Sequence, residues 1–264
     1  MTAGLRELKK QQTRQAISDT ATRLFLERGF EAVTIAEIAA AAQVAKMTVT
    51  NYFPRKEDLA LDYHEPFTAA LAHTVAGRQE GESALAALRR EYLAAVERHD
   101  PAIGFTGPEF AQMIADSPAL TARLRELHDQ REEALADVLA GALATDSAAE
   151  PVDEPVDEPV DEPADEPADE PADEPADEPA PDPADEPSVE PLTDPPADPG
   201  AEPGDLTPRA VAALLTAVHR TLFQQVLDLT RAGRTNEEIA TAATRSAHQV
   251  FGLLEASLGG YAVR

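Results

Sequence analysis

Hydrophobic positions recur every three to four residues along two stretches of the chain, 1–144 and 207–258. This is the spacing of amphipathic α-helices, and the strict alternation that marks strands is missing from both stretches. The pattern predicts helices at 6–28, 35–42, 46–52, 55–76, 82–99, 103–115, 118–143, 208–232 and 236–258. We therefore expect an all-α fold that is interrupted once.

Residues typical of helix starts mark several of these boundaries. Thr34 with Glu37, and Thr235 with Glu238, have the spacing of a capping box. Two further cap residues are followed by a proline at the first helical position. They are Ser117 and Thr207.

The interruption, residues 146–206, has a different composition. The tetrapeptide PVDE occurs three times from Pro151, and PADE then occurs four times up to Glu178. A proline at every fourth position removes backbone donors and prevents regular helix or sheet, and paired acidic residues repel each other. We therefore expect a disordered, extended insert with polyproline II character.

The net charge of −27 is concentrated in this insert. Residues 150–205 hold 23 of the 49 acidic residues and none of the 22 Lys and Arg, which leaves about −4 for the rest of the chain. A nearly neutral remainder is compatible with nucleic-acid binding, which a uniformly acidic protein would oppose. Three roles stay open for the insert: a solvated loop without function, a competitor with DNA for basic side chains, or a docking segment for a basic partner.

The sequence gives no indication of an enzyme. The chain has no Cys, which excludes disulfides and thiolate chemistry, and it has none of the common phosphate-loop, nucleophile-elbow, GxGxxG or HExxH motifs. The six His residues lack metal-ligand spacing, so neither a metal nor another cofactor is predicted. The polar N-terminal region and the shortness of the apolar runs favour a cytoplasmic protein that does not bind a membrane.

The first sixty residues combine three short predicted helices with a small apolar core. The second and third helices are joined by the short connection 42–44, which is typical of a helix-turn-helix. In that motif the second helix of the pair, here 46–52, enters the major groove of DNA. The predicted core residues are Ile17, Ala21, Leu24, Phe25, Ile35, Ile38, Ala39, Val44, Val49 and Phe53.

The predicted reading helix carries side chains suited to base edges. Lys can donate to guanine, Asn can pair with adenine, and Met or Thr methyl groups can contact thymine. Basic residues on either side of it, Arg14 and Lys56 among them, are suited to phosphates. The residues expected to face the groove are Lys46, Met47, Thr48, Thr50 and Asn51.

The segments GFEAVTIAEIA (29–39) and VAKMTVTNYFPRKEDL (44–59) resemble the N-terminal domain of TetR-family transcriptional regulators. The resemblance implies an all-helical homodimer with about nine helices, in which the first three bind DNA and the rest form a ligand-binding and dimerisation domain. Most members repress transcription until a small molecule releases them from DNA. The resemblance further implies that Thr34 caps its helix near a phosphate and that Tyr52 and Lys56 contact phosphates.

Three positions depart from the family pattern. Gln43 stands where the family usually has the glycine of the turn, which predicts a turn reached at some energetic cost. Thr50 replaces a frequent aromatic residue, so a contact made by that ring is expected to be weaker or missing. Ala45 replaces the usual Ser or Thr, so the reading helix is predicted to lack a side-chain cap.

The C-terminal helices are expected to bind a ligand and a second subunit. The last two helices have broad apolar faces with small residues between them, which favours an isologous homodimer, although these faces could instead be buried within one subunit. Each of the pocket candidates could also be an ordinary core residue. The pocket candidates are Tyr63, Phe67, Phe105, Phe110, Met113, His128 and Phe223.

The predicted organisation is a DNA-binding domain at 1–60, a regulatory domain at 61–145 and 207–264, and the insert at 146–206. The predicted function is a homodimeric repressor that binds a palindromic operator in double-stranded DNA and is released by a small-molecule effector. The alternative is an architectural DNA-binding or adaptor protein without ligand control. Preference for a palindrome would separate the two, because architectural binding discriminates little between bases.

Overall fold

A computed structural model describes residues 2–147 and 206–263 of the chain, with side chains described for 6–142 and 206–263. The insert predicted at 146–206 lies almost wholly outside these ranges. The described residues form ten α-helices and a single 3₁₀ turn, Pro101–Ile103, and contain no strand. The helices are α1 (Thr2–Arg28), α2 (Ile35–Ala41), α3 (Lys46–Tyr52), α4 (Lys56–Ala60), α5 (His64–Ala76), α6 (Ala84–Glu97), α7 (Pro108–Asp116), α8 (Pro118–Ser147), α9 (Thr207–Arg231) and α10 (Asn236–Leu258).

The single helix predicted at 55–76 is wrong, because the chain breaks at 61–63 between α4 and α5. Leu61 leaves the helical conformation, and two side chains of α1 bind the next residue. The Ser18 hydroxyl donates to the Asp62 carboxylate, and the Arg14 guanidinium donates to the Asp62 carbonyl at 3.2 Å. These contacts satisfy polar groups that the break exposes.

The helix predicted at 103–115 begins later, at Pro108. Gly104 ends the 3₁₀ turn at a φ of 106°, in a region that favours glycine. A Cβ atom at Gly104 would also lie 3.0 Å from the Phe223 carbonyl oxygen and 3.2 Å from the Val226 side chain. The glycine therefore sets both the end of the turn and its close approach to α9.

The predicted helix starts are mostly confirmed. Both capping boxes form, at the start of α2 and of α10, and the Ser117 hydroxyl accepts the Leu120 amide of α8 at 3.3 Å. The cap predicted at Thr207 is wrong. Helix α9 starts one residue earlier than predicted, so Leu206 is the N-cap residue and no side chain caps the helix.

The N-terminal core is built from α1 to α4 and is completed by α7 and α8. The predicted core residues of the first three helices are buried, except Ile35 and Val44, which are only partly buried against the same cluster. Leu59 of α4 is fully buried among them, as is Leu120 of α8, and Met113 and Ile114 of α7 join the same cluster. The three-helix unit thus packs directly against the rest of the described helical body.

The second core lies between α5, α6, α8, α9 and α10. Leu135 of α8, Leu215 and Leu222 of α9, and Phe251 of α10 are buried in it. Helix α9 is long and apolar enough to span a membrane by composition alone, but half of that apolar window is buried in the protein. Its hydrophobicity is accounted for by its place at the centre of the core.

Candidate nucleic-acid interface and adjoining cavity

The turn between α2 and α3 depends on a left-handed residue. Gln43 has a φ of 56°, and the next amide, of Val44, donates to the Ala39 carbonyl at 3.0 Å. The left-handed conformation costs a residue with a Cβ atom roughly 1–2 kcal/mol. Gln43 therefore carries the conformational cost that the sequence predicted, and the turn that orients α3 still forms.

Helix α3 is anchored on one side and open on the other. Val49 is fully buried, whereas Met47 is 69% exposed and Lys46 and Asn51 are also exposed. Ala45 precedes the helix without a side-chain cap, as the sequence predicted. The exposed side is therefore a short row formed by the Lys46 ammonium, the Met47 thioether and the Asn51 amide, which are groups suited to contacts with base edges.

The remaining α3 candidates are partly buried. The Thr50 hydroxyl donates to the Met47 carbonyl at 3.1 Å within the helix, so its methyl group is the part left for a base contact. Thr48, in the first turn of the helix, and Tyr52, its last residue, are half-buried. The structure thus brings all six α3 candidates onto one short helix, with Lys46, Met47 and Asn51 the most exposed.

Two of the basic candidates lie against aromatic rings. The Lys56 ammonium lies 4.3 Å from the centre of the Phe30 ring, and the Arg14 guanidinium lies 4.8 Å from the centre of the Phe53 ring. Cations on ring faces are attracted by the ring quadrupole. Both charges are thereby held near α3, whereas Lys46 has no ion-pair partner in the part of the chain that the structure describes.

Thr34 is engaged in its capping box. Its hydroxyl accepts the Glu37 amide at 3.3 Å, and its own amide donates to the Glu37 carboxylate at 2.8 Å. Hydrogen bonds from Arg28, and then from Thr34, lower the pKa of Glu37 to about 2. The start of α2 therefore carries an ionised carboxylate next to the position where the family resemblance implied a phosphate.

Contacts between α4 and α8 were not predicted from the sequence. Arg55, the N-cap residue of α4, pairs with Glu126 of α8 at 2.6 Å. Arg123 donates from Nε to the buried Asp58 carboxylate at 2.9 Å, and it also pairs with Glu126. The pairs of Arg55 with Glu126 and of Arg123 with Asp58 join residues more than sixty positions apart, so local sequence patterns do not predict them.

A cavity of about 390 Å³ adjoins these helices, enclosed by α1, the α4–α5 break, the 3₁₀ turn, α7, α8 and α9. Its walls are mainly apolar, with a few polar side chains such as Asp62, His64 and Glu109. Thr22 and Leu26 of α1 also line it, and neither was predicted from the sequence. Of the pocket candidates, Tyr63, Phe67, Phe105, Phe110 and Phe223 line this cavity.

The other two candidates do not line it. Met113 lies about 100° around α7 from the cavity-lining Ile114, and it packs in the N-terminal core instead. His128 is buried behind the cavity wall, with its ring 5.1 Å from the Phe67 ring and 5.4 Å from the Phe223 ring between centroids.

These features define a class of protein: an all-helical protein with a helix-turn-helix and a separate cavity that α1 lines in part. Residues 17–63 match the family model described as bacterial regulatory proteins, tetR family. The chain is also 28% identical over 140 residues to the HTH-type transcriptional regulator TcmR of Streptomyces glaucescens. Both matches support a TetR-family transcriptional regulator, whose N-terminal helix-turn-helix domain lies in the matched residues 17–63.

The match to TcmR covers 51% of this chain and 62% of TcmR, which is less than two thirds of that protein. Among solved structures, Salmonella enterica GusR is 17% identical, with a TM-score of 0.46 and coverage of 94% of this chain and 95% of GusR. A TetR-family regulator from Rhodococcus sp. is 13% identical, with a TM-score of 0.45 and coverage of 94% of this chain and 99% of the Rhodococcus protein.

Proposed function

We propose that the protein is a cytoplasmic, homodimeric transcriptional repressor that binds a palindromic operator and is released by a small molecule. The observation that carries the proposal is the exposed row on α3, with Lys46, Met47 and Asn51 presented beyond a tight turn. This row stands in the part of the chain that matches the family model. DNA-contacting roles for Arg14, Thr34, Thr48, Thr50, Tyr52 and Lys56 form part of the same proposal.

The cavity supports control by a small molecule. It is mainly apolar with a few polar groups, as is usual for ligand sites. Its lining residues come from α1 as well as from the regulatory helices α5, α7, α8 and α9. A ligand that fills it would contact Leu26 and Thr22 directly. Any preference of the ligand for one position of α1 would shift the population of DNA-binding conformations.

Exposed apolar side chains on the last two helices support the homodimer. Leu253 of α10 is 75% exposed and Leu214 of α9 is 49% exposed, although most other large apolar residues of these helices are buried. Covering such residues against a twofold-related copy would remove apolar surface from water. A role of the insert as an electrostatic competitor for DNA remains a separate hypothesis.

This proposal is tested by selecting the DNA sequences that the full-length protein binds. The selection uses a random pool of duplex DNA at near-physiological salt. We expect enrichment of an inverted repeat whose half-sites match a dimer. Tight binding without any enriched sequence would favour the architectural alternative and would contradict the proposal. Footprinting of the DNA upstream of the protein's own coding region would then show whether one operator lies there.

A further inference from the structure

A cluster of buried polar side chains lies at the centre of the regulatory helices, contributed by α6, α8 and α9. Each member has a buried nitrogen or oxygen without a hydrogen-bond partner in the described parts of the chain. Buried polar atoms in proteins are nearly always hydrogen-bonded, so several unpaired polar atoms close together need an explanation. The atoms are Tyr92 Oη, His128 Nδ1, Arg131 Nε, Thr216 Oγ1 and His219 Nε2.

Arg131 is the unusual member of this polar cluster. It is only 3% exposed, and no carboxylate lies within ion-pair distance of it in residues 6–142 or 206–263. Burial lowers the pKa of its guanidinium to about 10, so the group stays charged at neutral pH. A buried charge is normally paired, because removal from water is costly without a counter-charge.

The groups that face Arg131 do not balance its charge. Burial, and then the charges of Arg131 and Arg220, lower the pKa of His128 to about 3. Burial and the same guanidinium lower the pKa of His219 well below its usual value, and burial raises the pKa of Tyr92. All three rings are therefore neutral at pH 7, and the polar cluster carries one uncompensated positive charge.

The polar cluster and the cavity are separated by one layer of aromatic side chains. Phe67 and Phe223 line the cavity, and both rings also contact the His128 ring. The Arg131 guanidinium lies 4.5 Å from the centre of the Phe67 ring. A rotation of Phe67 would therefore join the apolar cavity to a site with a buried guanidinium and neutral hydrogen-bond donors.

We propose that the small molecule bound by this cavity carries a carboxylate, and that Arg131 binds this carboxylate within the polar cluster. The apolar part of the molecule would fill the cavity, while its acid group would supply the counter-charge that the protein lacks. Charge-assisted hydrogen bonds to a guanidinium are among the stronger polar contacts, and in a buried site they discriminate against neutral isosteres. The inference rests on the proposed function, because it assumes that the cavity is an effector site.

Matched pairs of probes test this inference on the full-length protein. The probes are 2-naphthoic, 2-naphthylacetic and 3-(2-naphthyl)propanoic acids, each with its primary amide, and binding is measured by isothermal titration calorimetry. We expect at least one acid to bind about ten-fold tighter than its amide. Arg131→Met should remove this preference by weakening the acid alone, and Arg131→Lys should retain part of it.

Arg220→Met is the matched control, because Arg220 is exposed on α9 and pairs at the surface with Asp129. It should leave the preference for the acid unchanged. A thermal melt without any probe adds a second readout. Arg131→Met should melt at a higher temperature than the wild type, since it removes an uncompensated buried charge. If Arg131 only stabilised the fold, the variant would melt at a lower temperature than the wild type.

Three results would overturn the inference: equal binding of acid and amide, binding of neither, or Arg131-dependent binding of sodium sulfate alone. The last result would indicate a site for an inorganic anion. DNA selection with the same protein preparation, without probes, reports separately on the proposed function. Equal binding of acid and amide would leave the cavity as an effector site and remove only the role of Arg131.

Discussion

Arg123 of α8 donates from Nε to the Asp58 carboxylate of α4 at 2.9 Å, and both side chains are nearly buried. Asp58 lies two residues after the start of α4, which follows the reading helix directly. Arg123 also binds Glu126, which in turn pairs with Arg55. Arg123, which directly precedes the cavity-lining Leu124 of α8, thereby ties α8 to the DNA-binding domain.

Removal of the Arg123 side chain is expected to be costly. Arg123→Met leaves Asp58 buried without its partner and should lower the free energy of unfolding by about 3–5 kcal/mol. Arg55→Met is the control, because it removes only the exposed pair with Glu126 and should cost at most about 1 kcal/mol. Urea denaturation of both variants checks this, and losses of equal size would contradict a special role for the buried pair.

The left-handed Gln43 offers a stabilising substitution. Gln43→Gly should raise the free energy of unfolding by about 1 kcal/mol, because glycine adopts a φ of 56° without the clash of a Cβ atom. Ala42→Gly is the matched control at the preceding position, where φ is −80° and glycine should instead lower stability. The two variants should shift the urea midpoint in opposite directions, and a destabilising Gln43→Gly would be inconsistent with strain at this turn.

The helix-turn-helix could be predicted from the sequence because its signals are local. The Thr34–Glu37 capping box, the apolar spacing that ends in Val49 and Phe53, and the short connection between them lie within twenty residues. The break at 61–63 could not be predicted in this way. It is fixed by Ser18 and Arg14 of α1, which are more than forty residues away.

The cavity was only partly predictable for the same reason. Five aromatic residues of its lining were predicted from the sequence. Leu26 and Thr22 of α1 were not, because they face the cavity only through the packing of α1 beside α4 and α7. Arg131 did leave a local signal. It occupies the apolar stripe of α8 between Leu127 and Leu135, where a charged residue is out of place in an ordinary core helix.

The capping box of α2 should make stability depend on pH in acid. The pKa of Glu37 is lowered to about 2 in the fold, below its ordinary 4.5, so its carboxylate stabilises the protein above that ordinary value. The contribution is lost as the pH falls towards 2. Glu37→Gln should therefore unfold at a lower urea concentration than the wild type at pH 6, and the difference should shrink between pH 4.5 and 2.

Glu133→Gln is the control for this measurement, because Glu133 is exposed on α8 and makes no ion pair in the described residues. Its urea midpoint should follow that of the wild type over the same pH range. A difference between Glu37→Gln and the wild type that stays constant down to pH 2 would assign the effect to packing rather than to ionisation.

Asn51 of α3 and Lys56 at the start of α4 should have separable roles on DNA. Asn51→Ala should weaken binding to the selected operator by roughly 1–3 kcal/mol and relax preference at a single base pair. Lys56→Ala removes the ammonium that lies on the Phe30 ring beside α3. Because Lys56 is proposed to contact a phosphate, its loss should weaken binding to all sequences alike and reduce the salt slope by about one. Affinities measured across a salt series on operator and scrambled DNA decide between these roles, and identical behaviour of the two variants would refute the division.

Leu253 provides the sharpest test of the proposed dimer. Leu253→Glu places a charge on a side chain that is 75% exposed in one subunit but would be covered by a twofold mate. We expect this variant to keep its helical content, to sediment as a monomer, and to lose tight binding to an inverted repeat, because one subunit contacts only one half-site. Thr241→Glu adds the same charge at an exposed polar position of α10, about 120° around the helix, and should remain dimeric. A Leu253→Glu protein that still sediments as a dimer would show that the subunits associate through another surface.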